Sequence, residues 1–168
     1  MTSIYASSAK LYGKLLTNLL GCLTKAEAYA AERKFKPDVL VTARLAPDMH
    51  PLSFQIQTAT DHVKGSLSRL TGREIPSWPD EEKTFADLKA RVQKAIDFAA
   101  GFKEADLEGS DTRTVRIKVS GVDTDLTGKT YLLQRALPNF YFHVTTAYAI
   151  LRHNGVPVGK SDFVGPIS

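Results

Sequence analysis

Residues 114–127 read TVRIKVSGVDTDLT, and they break the period of everything around them. Val115, Ile117 and Val119 alternate with polar or charged residues, which puts every second side chain on one face of an extended strand. Gly121-Val122-Asp123 then leads into a second short extended run, so the stretch predicts a two-stranded hairpin. A lone hairpin is marginal in water, so it has to lie against a larger apolar surface.

The sequence on both sides supplies that surface. Before the hairpin, residues 3–35 repeat apolar side chains at helical spacing: Tyr12, Leu15, Leu16, Leu19, Leu23, Ala26 and Ala30. Pro37 ends this helix, and residues 37–45 leave room for one extra helical turn. A second helix is expected from Asp48, with Asp48 capping free amides and Pro51 in the first turn, where its missing N–H is not needed. Its stripe is Leu52, Ile56, Ala59, Val63, Leu67 and Leu70, and Thr71-Gly72 stops it. A connector follows whose Trp78 should pack on the helices. The third helix opens with Thr84 and Asp87 in the spacing of a capping box and carries Phe85, Leu88, Val92, Ile96 and Ala99 inward. After the hairpin, residues 129–153 form the last helix, with Leu133, Ala136, Phe140, Val144, Ala147 and Leu151 inward. Pro138 lies inside it and should kink it by freeing the carbonyl of Gln134. The tail, residues 156–168, reads as extended. The expected fold class is all-α, a four-helix bundle with a small β-hairpin between helices three and four, in one domain spanning residues 1–168.

Composition narrows the classes of function. The chain has 168 residues, 43% hydrophobic and 24% charged, which is ordinary globular usage. One cysteine, Cys22, excludes an internal disulfide and a cysteine-based metal cluster; its spacing from Leu15 marks it as a small buried hydrophobe. The net charge is +4, but lysines and arginines are interspersed with 18 acidic residues, so no nucleic-acid partner is expected. No apolar run approaches the roughly 20 residues that span a bilayer. The start of the chain lacks the apolar stretch of a secretory signal, and the expectation is a cytoplasmic protein with no membrane partner.

Two stretches carry a resemblance. Residues 43–49 (ARLAPDM) with Gln55-Ile56-Gln57, and residues 138–156 (PNFYFHVTTAYAILRHNGV), resemble an uncharacterised bacterial branch, known only as a domain of unknown function, of the DinB/YfiT-like superfamily. The similarity covers nearly the whole chain and implies the bundle-with-hairpin architecture. It also implies a comparison. The wider superfamily often holds one divalent metal, such as zinc or nickel, with three histidines: one near the start of the second helix and a His-x-x-x-His pair on the fourth. Here His50 and His143 match two of those positions, while Ala147 stands at the third and cannot ligate.

The remaining polar residues are weighed by position on their helices. His143 lies about 60° from Phe140 on the helical wheel, on the buried side. A buried imidazole needs partners for both ring nitrogens, and Gln55, at the edge of the second stripe, is positioned to face it across the bundle. Tyr148 and Asn139 complete the candidate pocket. His50 falls on the polar side of its helix, His62 reads as boundary or solvent, and His153 suits the negative end of the last helix. Arg44, Arg135 and Arg152 are each single candidates for an anion clamp. No nucleophilic triad, phosphate loop or nucleotide fingerprint is present. Two readings follow: a non-catalytic binding or structural protein, expected as a homodimer with an unidentified small-molecule ligand, or a divalent-metal-dependent enzyme of thiol-transferase or hydrolase type.

Overall fold

The hydrophobic stripes set the architecture. In the computed structural model, which describes residues 3–166, they become the inner faces of α1 (Leu11–Glu32), α2 (Leu52–Thr71), α3 (Phe85–Ala100) and α5 (Leu137–His153). Every stripe residue of α2 is fully buried, and Leu16, Leu23, Val92, Phe140 and Ala147 are as well. The long helices close a ring, α1 on α3, α3 on α2, α2 on α5 and α5 on α1. The chain is therefore mostly helical with one small antiparallel sheet. That sheet is the expected hairpin, β1 (Thr114–Val119) and β2 (Val122–Thr127), with Val115 opposite Leu126 and Ile117 opposite Thr124. Ser120 and Gly121 both take positive φ, 50° and 84°, as the tightest hairpin turn requires. Val115 is buried, so the hairpin does lie on the helices. The two residues at each end of the expected 1–168 span lie outside the described residues.

Local signals held where a side chain could act on its own neighbours. Thr84 Oγ1 accepts from the Asp87 amide at 3.1 Å and Asp87 accepts from the Thr84 amide at 2.8 Å, the reciprocal cap of α3. Gly72 ends α2 in the left-handed region at φ 70°. Pro37–Leu40 forms a short 3₁₀ turn, and Trp78 is buried on α3 against Phe98.

Three expectations are corrected. Asp48 does not cap α2: the helix starts at Leu52 after Pro51, with no side-chain cap, and Asp48 sits in the preceding turn. The tail is not wholly extended, because Lys160–Val164 forms α6, held to α1 by Asn18 Nδ2 donating to the Phe163 carbonyl at 2.9 Å and by a Lys25–Asp162 ion pair at 2.7 Å. The last helix starts at the short α4 (Gly128–Tyr131) and meets Pro138 by a π-helical turn, Leu132–Ala136, in which the Leu137 amide donates to the Leu132 carbonyl. That turn fits an extra residue into the helix and shifts its phase. Leu133, counted inward from the spacing, is consequently 50% exposed, and its neighbour Leu132 is buried instead.

Candidate functional site

Two polar stripes face each other where α2 packs on the last helix. Gln55, His62 and Arg69 recur every seven residues, almost two full turns, so they share one face of α2 beside its core stripe. Arg135, Asn139 and His143 recur every four residues on the partner. Gln55 meets His143 at one end and Arg69 meets Tyr131 at the other, so the helices run antiparallel.

The hydrogen bonds at the first end determine a tautomer. Gln55 is buried; its Nε2 donates to the His50 carbonyl at 3.0 Å, which turns Oε1 toward His143 Nδ1 at 2.8 Å. An amide oxygen only accepts, so Nδ1 carries the proton and Nε2 keeps a free lone pair. His143 is half-buried rather than fully so, between the edges of Phe142 and Phe54 and the nearly parallel ring of His62, 5.8 Å away. Burial, then the nearby His50, lowers its pKa from the ordinary histidine value. We expect His143→Ala to cost about 1–3 kcal/mol, because the buried Gln55 oxygen loses its donor. Chemical denaturation checks this, and an unchanged midpoint would mean that water replaces the imidazole at no cost.

His62 takes the boundary position that its place on the helix predicts, half-buried beside the core stripe, but with a role the spacing does not show: it stacks on His143 and forms a wall of a cleft of about 510 Å³. The other walls are Arg69 on α2, Arg116, Ile117, Lys118 and Asp123 on the hairpin, and Tyr131, Arg135, Ala136 and Asn139 on the last helix. Burial, His143, Arg69 and Arg135 together push its pKa down to about 4 against an opposing pull from Asp61, so it is neutral at pH 7. Of the candidate pocket residues, then, His143 and Gln55 are joined and Asn139 lines the adjoining cleft, where its amide also donates to the Arg135 carbonyl at 2.6 Å. Tyr148 is not part of it. Its ring packs on Phe163 of α6, because five residues on from His143 the helix has turned to another face.

His50 is exposed before α2 and stacks on Phe54 at 3.9 Å; Ala147 is fully buried in the core. Among the described residues no three His, Cys, Asp or Glu side chains are grouped to hold one ion. The residues present do not form the three-histidine set.

The family described as Domain of unknown function (DUF1993) matches residues 4–164. The chain belongs to this family. A solved structure, the crystal structure of a DinB family member protein from Shewanella denitrificans, is 40% identical, with a TM-score of 0.91 over 98% of this chain and 93% of that one. The DUF1993 chain is thus DinB-like in fold as well as in sequence. No curated protein matches it. No helix among its described residues is long and apolar enough to cross a membrane.

Proposed function

We propose that this DUF1993 protein is a non-catalytic small-molecule-binding protein, whose scaffold is a single-domain four-helix bundle and whose ligand enters the cleft between α2, the hairpin and the last helix. The observation that carries the reading is the cleft itself. It has a ligand-sized volume, is walled by three separate elements, and has convergent polar groups from two facing helix stripes. One of its walls, His62, stacks on His143, whose ring the Gln55 hydrogen bond fixes beside the cleft. The described residues that line the cleft include no serine, threonine or cysteine that a Gln55-oriented His143 could activate as a nucleophile. A thermal-shift screen of a small-molecule fragment set against the full chain tests the reading. Saturable stabilisers are expected, and their loss in Asn139→Trp, which puts a bulky ring on one cleft wall, would locate them there; a screen without any hit would contradict it.

A second reading, a metal-dependent enzyme of thiol-transferase or hydrolase type, is favoured by one feature. A histidine whose Nδ1–H is held by an amide oxygen presents Nε2 as metal ligands do. Ala147 weighs against it. Metal content of protein purified without a histidine tag separates the two: we expect sub-stoichiometric metal that does not rise on adding zinc, nickel or manganese. A cytoplasmic homodimer remains the proposed state, its dimer part supported by the exposed aromatic rings of Tyr141 and Phe142 on α5. Light scattering on the purified protein checks the stoichiometry.

A further inference from the structure

The cleft carries more positive charge than its own carboxylates neutralise. On the hairpin the charges are matched: Arg116 forms two hydrogen bonds to Asp125, at 2.7 and 2.8 Å, and Lys118 pairs with Asp123 at 2.8 Å. On the helices they are not. Among the described residues Arg69 and Arg135 form no salt bridge. Arg69 reaches only the Tyr131 hydroxyl, at 3.5 Å. It is also seated by an unusual neighbour. A Cβ added at Gly65, one turn earlier on α2, would stand 2.7 Å from the Arg69 guanidinium, so the absent side chain is what lets that group lie along the helix beside the cleft. Glycine in the middle of a long helix is otherwise a destabilising choice.

Resting on the binding reading above, we propose that the cleft takes a small molecule bearing an oxyanion, a phosphate monoester or a carboxylate, clamped by the Arg69 and Arg135 guanidinium groups. Both anions present the planar or forked oxygens that guanidinium groups bind in pairs. The Tyr131 hydroxyl and the second amide hydrogen of Asn139 are further donors on the same walls. His62 adds no charge of its own, and a bound anion would offset the two arginines that disfavour its protonation.

The test is isothermal titration of the full chain with inorganic phosphate, phenyl phosphate and succinate, at constant ionic strength, alongside Arg69→Gln, Arg135→Gln and Gly65→Ala. At least one anion is expected to bind saturably and about tenfold or more weaker to both arginine variants. Binding of the two phosphates but not succinate assigns a phosphate ligand, and the reverse assigns a carboxylate. Gly65→Ala should weaken binding while holding or raising the melting temperature, which separates displacement of Arg69 from misfolding. Occupancy should also raise the His62 titration midpoint seen by NMR. No saturable binding up to millimolar anion, or binding unchanged in both arginine variants, overturns the proposal. Should neutral fragments still bind the cleft in that case, the binding reading survives without the anion; should they fail too, both fall.

Discussion

Arg91→Ala is expected to lower the free energy of unfolding by about 3–5 kcal/mol, the cost of removing one partner from a buried ion-pair network. Arg91 is nearly inaccessible on α3, and its guanidinium is fully engaged. Nε donates to Thr60 Oγ1 at 3.0 Å; Nη1 donates to the Pro79 carbonyl at 2.9 Å and Glu82 at 3.0 Å; Nη2 donates to Asp61 at 2.8 Å and Asp80 at 3.1 Å. The group also lies over the Trp78 ring, 5.4 Å from its centre. One side chain therefore ties the connector before α3 to α2 and α3 at once. Alanine would leave Glu82, itself mostly covered, with only the Gln57 amide at 2.8 Å. Lysine should recover only part of the loss, since an ammonium cannot reproduce the planar fork. Urea unfolding of the three proteins measures this. A loss below about 1 kcal/mol for alanine would mean that the exposed Asp61 and Asp80 ends are screened like surface pairs.

Acid is expected to destabilise the protein well before its carboxylates protonate. His62 titrates near 4 in the folded chain and near 6.5 when unfolded. Between those values the unfolded chain binds a proton that the folded chain refuses, so stability falls as pH is lowered through the window. Above pH 6.5 both states are neutral and the effect vanishes. Integrated over the window, the loss amounts to about 3 kcal/mol from this one residue. His143, lowered for the same first reason, burial, adds in the same direction. The depressed carboxylates Asp87, Asp125 and Asp162 contribute only when the pH falls through their own range. Stability curves of wild type and His62→Gln from pH 4 to 8 isolate the histidine share: the wild type should lose more between 6.5 and 4 than the variant. Parallel curves would show that His62 takes up its proton without opening the wall.

The helices and the hairpin were legible because their signals are local. Tyr12 to Ala30, Leu52 to Leu70 and the Val115-Ile117 alternation each state a buried face without reference to the rest of the chain. Gln55 against His143 was legible for a different reason: one stripe edge was set against a histidine that needed a partner. The cleft was not legible. Gln55, His62 and Arg69 make a polar seam only once α5 is known to run antiparallel beside α2, and distance from the core stripe alone reads His62 as boundary or solvent without showing what it faces. The interspersed charge likewise hid a local excess, since sequence cannot show that Arg69 and Arg135 end in one cleft while the hairpin carboxylates pair with Arg116 and Lys118. The signal that was available is the seven-residue repeat on α2 beside the four-residue repeat on the last helix. Arg91 was missed because it lies between Leu88 and Val92, where an inward cation is tolerable only with the carboxylates that the connector folds over it. Leu133 failed because a π-turn changes the helical phase that the wheel assumes constant.

Two histidine rings report on the binding cleft, His62 in its wall and His143 stacked beside it. Nitrogen NMR of histidine-labelled protein at pH 7 should show His143 as the Nδ1–H tautomer and His62 neutral. Titration with a fragment that stabilises the fold should shift the His62 signals saturably, in step with the calorimetric affinity, and leave the His50 and His153 signals in place. Histidine signals that do not move while the fragment binds, or a His143 protonated at Nε2, would contradict the account.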